Sequence, residues 1–388
     1  IKVKKMKKLV FVSKTRGFFN HLFNSNVKKW NFLNDGNSYE KTSIKKIVIS
    51  KVGRSKLLDW FGYIQVLKNK DNIEADILGS YNRFIETEKP YVIYLENPTA
   101  LFHYKLEREN SYLGKKKIEK YINDPNLKAI VCMSNACKIG FELIYKNYIH
   151  RNDLIIEQIY PLIPETKVNI NKKNFSLLFI AQGKGFISKG GIELLNVMKK
   201  FNDEKNKIKL VIVSSWKSIP TKYQQIIEHL DNVEFKEFGM PFEELKKLYI
   251  ENSVLIHMTR QDSFGLTILE AIKHGMPVIS TAVYSIPEVV KNDYNGFVSD
   301  PTVYFFNPNF LPNKKVWNNR KNTIFLDKPD RKIEKFLYEK IKLLSSDSEL
   351  LKKMSKNSLK LSQTEPFSEK FITSKWSDLL DSILEEKS

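Results

Sequence analysis

Arg260-Gln-Asp-Ser-Phe-Gly-Leu-Thr-Ile-Leu-Glu-Ala-Ile-Lys-His-Gly-Met-Pro-Val-Ile-Ser280 carries the start, body and end of one helix and the first residues of the strand behind it. Asp262 and Ser263 are residue types whose side-chain oxygens accept from the orphan amides of a first turn. Leu266, Leu269 and Ile272 recur at helical spacing and give one buried face. Gly275 stands where a helix ends in a left-handed residue, and Pro277 prevents resumption. Val278-Ile279 opens an apolar strand, and Val254-Leu-Ile-His257 is the strand that feeds the helix. A helix start favours a phosphate or sugar hydroxyl, and Gly265 lets a ligand approach the backbone. Glu270 follows Asp262 by eight residues, so one carboxylate could meet a sugar and the other a second hydroxylated group. An ordinary entry turn followed by a solvated glutamate fits the same spacing, and both readings stay open here.

Outward from this stretch, short apolar runs alternate with helical segments. In the second half Ser176–Ala181, Lys209–Val213 and Val233–Phe238 read as strands, with helices over 192–201 and Phe242–Glu251. In the first half Leu9–Val12, Ile44–Ser50, Tyr91–Leu95, Ala129–Cys132 and Leu154–Ile156 read as strands. Such alternation predicts parallel sheets of the Rossmann type, whose ligands sit beyond the carboxyl ends of the strands. Pro161, Pro164 and the polar run 167–174 mark a linker. The expected domains are 1–165, 166–365, and a terminal helix, 366–388, crossing back onto the first domain. Trp376, Leu379 and Leu380 are the residues expected to pack there. Residues 301–330 read as an inserted surface loop. The loop 183–191 is a second chemical candidate, since Gly183, Gly185, Gly190 and Gly191 loosen the backbone and Lys184 and Lys189 carry charge for a diphosphate. Alone, a solvated turn fits it equally well.

Asp262-x7-Glu270 followed by Ala-Ile-Lys-His-Gly-Met-Pro-Val-Ile resembles the Glu-x7-Glu signature of the retaining glycosyltransferases of family 4. Gly183-Lys-Gly-Phe-Ile-Ser-Lys-Gly-Gly191 is similar to that family's Gly-Arg-x-Phe-x-x-Lys-Gly-Gly segment, in the family's order along the chain. Ile286–Val290 and Asn295–Val298 match its continuation. Two departures stand out: Asp262 occupies the place of the first Glu, and Lys184 that of the Arg, which loses bidentate geometry but keeps the charge. The resemblance implies a GT-B fold, α/β, with two Rossmann-like domains facing a central cleft. It implies transfer of a sugar from a nucleotide diphosphate sugar to an acceptor hydroxyl with retention, without metal or cofactor, UDP being taken ahead of GDP. The C-terminal domain would hold the donor. Glu270 would meet the ribose, Lys184 and Lys189 the diphosphate, and Asp262 with the Phe264 and Gly265 amides the sugar, with Gly183, Ser263 and Leu266 as further donor-binding candidates. Lys189 and Asp262 are also catalytic candidates. In the N-terminal half the family's histidine after the Pro-x-Val strand is replaced by Glu96, a third catalytic candidate at a strand's carboxyl end. His103 reads as a lone exposed polar side chain. Base selection is assigned to 214–217 and 239–242.

With 388 residues, 42% hydrophobic, the chain is long enough for two cores. Its net charge of +20 favours acidic partners: a nucleotide diphosphate, an anionic membrane surface or nucleic acid. The same charge fits lysines that are merely solvated. Residues 2–8 and 104–120 suggest an enzyme peripheral on the cytoplasmic membrane face, acting on a glycan, lipid-linked or protein acceptor such as one of the cell envelope. Cys132 and Cys137 fit neither a zinc site nor a disulfide framework, as expected of a reducing, cytoplasmic compartment. No apolar run approaches the ~20 residues of a membrane span, and Leu9–Val12 does not read as a signal peptide. Two rivals are a nucleotide-sugar epimerase on the same scaffold, which would convert the donor without acceptor, and a basic nucleic-acid-binding protein. The second lacks any recognisable binding signature.

Overall fold

The computed structural model describes residues 6–35, 59–68, 73–166, 168, 174–183, 185–206 and 208–385. The strand expected over Ile44–Ser50 lies outside them. The chain divides into two compact units, residues 1–162 with 369–388, and residues 163–368.

The first unit is built on β1 (Lys7–Phe11), β2 (Trp30–Asn34), β4 (Ile77–Tyr81), β6 (Tyr91–Leu95), β7 (Leu127–Cys132) and β8 (Ile155–Gln158). They form one parallel sheet in the order β2-β1-β4-β6-β7-β8. A two-stranded pair, β3 (Leu67–Lys68) with β5 (Ile85–Glu86), lies apart from it. Every residue of β6, Tyr-Val-Ile-Tyr-Leu, is buried, as a continuous apolar run in a central parallel strand should be. β2 and β4 were not legible as strands. Gly79 stands within β4 with the ring of Phe11 lying on it, and a Cβ there would meet that ring at 3.0 Å.

Helix Glu369–Glu385 belongs to this unit. Ile372, Trp376, Leu379, Leu380 and Ile383 recur on one face and are buried. Trp376 packs edge-on to Phe32 at 5.6 Å and against Tyr94 at 5.9 Å. Asp381 pins the helix: Lys7 Nζ and Lys29 Nζ each stand 3.0 Å from its carboxylate, and Trp30 Nε1 donates to it at 3.1 Å. Burial raises the Asp381 pKa, but these three donors outweigh it and hold it down to about 2. Asp381→Ala is expected to cost about 2 kcal/mol of unfolding free energy, read by urea denaturation at pH 7. An aspartate titrates near 4 when unfolded, so this stabilisation is complete above about pH 4 and fades as pH falls towards 2. The parent should therefore lose more stability than the variant over that acid range.

The second unit holds β9 (Ser176–Ala181), β10 (Lys209–Ser214), β11 (Val233–Glu237), β12 (Val254–His257), β13 (Val278–Thr281) and β14 (Gly296–Ser299). All pair in parallel, in the order β11-β10-β9-β12-β13-β14. Helix Gly191–Asp203 buries Leu194, Leu195, Met198 and Phe201 in the core with Leu177 and Phe179 of β9. Helices Arg331–Ser346 and Ser348–Gln363 are capped by Asp330 and Asp347, whose side chains accept first-turn amides. The strand order reverses between β9 and β12. In open parallel sheets that reversal leaves a crevice at the strands' carboxyl ends.

Candidate functional site

The loops that leave β9 and β12 meet at this reversal. After Ala181 the chain passes Gly183, makes one helical turn over Gly185–Ser188 and reaches Lys189 and Gly190. Gly190 has φ +84, and a Cβ on it would lie 2.5 Å from Met258 Cβ, so only glycine permits this approach. The N–H of Arg260 donates to Ser188 O at 2.7 Å and ties the loops together. Lys189 Nζ then stands 2.9 Å from Asp262 Oδ2 and 3.3 Å from His257 Nε2. His257 Nε2 is 3.1 Å from the same Asp262 oxygen, while Asp262 Oδ1 accepts the amides of Phe264 (3.2 Å) and Gly265 (2.9 Å).

Electrostatics fixes the protonation of this trio. His257 is fully buried, which with the Lys189 charge pushes its pKa down to about 4. Burial raises the Asp262 carboxyl, but Lys189 and His257 hold it well below the ordinary range. Near neutral pH the arrangement is an ammonium, a carboxylate and a neutral imidazole. The carboxylate takes donors only, which favours the Nε2–H tautomer and leaves Nδ1 with no partner among the described residues.

The helix starts later than its sequence suggests, at Leu266, because Gly265 is the left-handed residue before it (φ +78). Asp262 closes a turn ahead of the helix rather than capping it. The Phe264 and Gly265 amides expected to meet a sugar are thus already held by Asp262. Phe264 is buried, Ser263 and Leu266 are half-buried, and Ser263 O accepts from Ser285 Oγ at 2.9 Å. Gly275 has φ +66, in keeping with its expected place at the helix end. Half-buried Glu270 accepts from the Tyr249 hydroxyl at 2.6 Å. Burial pushes Glu270 up to about 7, against the lowering effect of that bond. Lys184 lies outside the described residues. Gly183 has φ +54, with open space where a Cβ would stand.

Glu96 is buried in the first unit. Its Oε2 accepts from Tyr81 at 2.5 Å and Tyr104 at 3.1 Å and pairs with Arg16 at 3.3 Å. His103, expected to be exposed, is half-buried, and its Nε2 accepts the Gln65 amide at 2.9 Å. Residues 301–330 are not the plain surface loop expected of them. Phe305, Phe306, Trp317 and Ile324 are buried, with Phe306 stacked on Tyr284 at 3.9 Å and Phe305 on Trp317 at 4.1 Å. Arg260 holds the end of this segment: it donates to Leu326 O at 2.8 Å and to buried Glu193 at 2.6 Å. His257 and Arg260 went unnoticed as site residues, although a histidine ending an apolar strand at a sheet's carboxyl edge is a legible signal.

Residues 164–304 match the family of glycosyl transferases group 1. That stretch of the chain is therefore similar to group 1 glycosyl transferases. This agrees with the family 4 resemblance of the sequence. Among curated relatives, the phosphatidylinositol N-acetylglucosaminyltransferase GPI3 subunit of Saccharomyces cerevisiae is 20% identical over 191 residues, 46% of this chain and 41% of the relative. The O-antigen chain mannosyltransferase B of Escherichia coli is 40% identical over 62 residues, 16% of each chain. The chain thus spans well under half the length of either. Among solved structures, Anabaena Alr3699/HepE in complex with UDP-glucose superposes with a TM-score of 0.59 at 13% identity, covering 97% of this chain and 99% of that one. At that identity the likeness shows the fold, which is GT-B. Among the described residues no helix is long and apolar enough to cross a membrane, and no cluster of His, Cys, Asp and Glu could hold a metal ion.

Proposed function

We propose that the chain is a retaining, metal-independent glycosyltransferase that moves a sugar from a nucleotide diphosphate sugar, UDP ahead of GDP, to an acceptor hydroxyl in cell-envelope glycan or glycolipid synthesis. The observation that carries this reading is Lys189, paired with Asp262 beside His257 where β9 and β12 diverge. UDP is favoured because the HepE structures of this fold contain UDP-glucose or UDP.

In the proposed reaction the sugar–phosphate bond breaks, the acceptor oxygen bonds to the anomeric carbon, and the acceptor's proton leaves with the nucleoside diphosphate. Negative charge grows on the departing diphosphate, so catalysis is chiefly electrostatic. Lys189, Lys184 and the positive end of helix Gly191–Asp203 oppose that charge, the work a metal ion does elsewhere. Donor entry takes Lys189 partly from Asp262, and His257 keeps the freed carboxylate oxygen bonded. Glu270 receives the ribose hydroxyls, and Asp262 the transferred sugar. In the first unit Glu96, braced by Arg16, Tyr81 and Tyr104, is the residue proposed to receive the acceptor hydroxyl.

The test is a thermal-shift panel with UDP, GDP, ADP and CMP, followed by turnover. A ligand confined to the folded state stabilises by about 2.7 kcal/mol at a hundredfold excess over its Kd. UDP is expected to stabilise the protein most, and the product to keep the donor's anomeric configuration. An inverted product would remove retention from the proposal. A flat panel, or conversion of donor without acceptor, would remove transfer itself.

A further inference from the structure

Asp59-Trp-Phe-Gly-Tyr63 lies in the first unit against the start of helix Tyr112–Ile122. Buried contacts fix it there. Arg108, 1% exposed, donates from Nε to Asp59 Oδ1 at 2.7 Å, and Lys105 Nζ stands 3.6 Å from the other oxygen. Gly62 (φ +55) approaches the helix so closely that a Cβ on it would lie 2.2 Å from Gly114 N. Lys117 Nζ donates to Phe61 O at 3.0 Å. This framework turns large apolar groups outward: Trp60 is 68% exposed, Phe61 48% and Tyr63 41%, beside Tyr112 at 69% and Leu113 at 37%. Soluble surfaces seldom hold such a group in water without a partner.

The rim of this patch is basic. Lys115, Lys116 and Lys120 are exposed on the adjoining helix, with Lys116 Nζ 4.6 Å from the Tyr112 ring centre. The helix's one carboxylate, Glu119, lies 2.6 Å from His150 Nε2. We infer that this platform docks the protein on an anionic lipid bilayer. Trp and Tyr suit the headgroup layer, Phe and Leu the acyl boundary, and lysines the surface charge. Nucleic acid fits less well, because Trp60 and Phe61 pack edge to face at 4.8 Å and leave no slot open to a base. The inference rests on the glycosyltransferase reading only in naming the surface where a lipid-borne acceptor would be met.

The test is co-sedimentation of the full chain with phosphatidylglycerol–phosphatidylcholine vesicles and with phosphatidylcholine alone, beside the UDP thermal shift of every protein. The parent is expected to sediment with the anionic vesicles only. Trp60→Ala/Phe61→Ala should lower partitioning at least tenfold, and Lys115→Ala and Lys116→Ala about fivefold each. Leu343→Ser, an exposed apolar position of the second unit, should change nothing, and all variants should keep the parent's UDP shift. The inference falls if the parent ignores phosphatidylglycerol, or if the Trp60/Phe61 variant sediments like the parent. It also falls if that variant instead abolishes RNA binding or converts a dimer to a monomer. Vesicle binding without a UDP shift would sink the transferase reading and spare the docking surface.

Discussion

Lys189→Ala is expected to lower kcat/KM for the sugar donor by two to three orders of magnitude, about 3–4 kcal/mol of transition-state stabilisation. Its ammonium stands where the loops from β9 and β12 meet, 2.9 Å from Asp262 and 3.3 Å from His257. The leaving diphosphate gains charge as the sugar departs, so the loss should fall on kcat as well as on KM. Stability should move less, because Asp262 keeps His257 and the Phe264 and Gly265 amides as donors. Lys189→Arg keeps the charge on a longer, planar group and should recover part of the rate. The deficit should also be constant from about pH 5.5 to 8. Asp262 stays ionised there, and His257, pushed down to about 4, stays neutral. Steady-state kinetics on parent and both variants decide it. Full activity in Lys189→Ala would mean that the reversal of the second sheet is not where the diphosphate sits.

The sequence was most legible where one physical signal acted alone. Ser176–Ala181 and Val254–His257 are apolar apart from one terminal residue each, and both are strands with those bounds. Since they flank the strand reversal, reading them also pointed to the candidate site. Trp30–Asn34 and Ile77–Tyr81 mix polar residues and a glycine into their strands. Their burial is set by neighbours such as Phe11 and Trp376, which local pattern does not reveal. The same holds for 301–330, whose composition suggests a loop until Tyr284 and Arg260 supply partners. Asp262 was legible as a candidate carboxylate, but not as the acceptor of two amides, since that depends on the left-handed turn at Gly265. The place of His257 at a strand end was legible, but its partners needed the fold: the loops from β9 and β12 bring Lys189 and Asp262 to its ring.

Glu270→Gln is expected to move stability and ligand binding in opposite directions. Burial pushes the Glu270 carboxyl up to about 7, whereas an unfolded glutamate titrates near 4.3. A raised pKa means that the fold tolerates the neutral acid and pays for the anion. Stability is therefore complete below about pH 4.3 and is lost as pH rises through about 7. Glutamine has nearly the same shape, carries no charge and can still accept from Tyr249 OH, now 2.6 Å from the carboxylate. At pH 8 the variant should be about 2–3 kcal/mol more stable than the parent in urea unfolding, with the difference vanishing near pH 4. The UDP thermal shift should behave oppositely. A carboxylate accepting from ribose hydroxyls makes charge-assisted bonds about twice as strong as those of an amide, so Glu270→Gln should weaken UDP binding roughly tenfold at pH 8. In the parent, UDP affinity should rise with pH through about 7, and in the variant it should stay level. A residue serving only to cap Tyr249 would give the stability gain and leave the UDP shift untouched. The cost of keeping an anion half-buried beside Tyr249 is then the mark of a group held for a ligand.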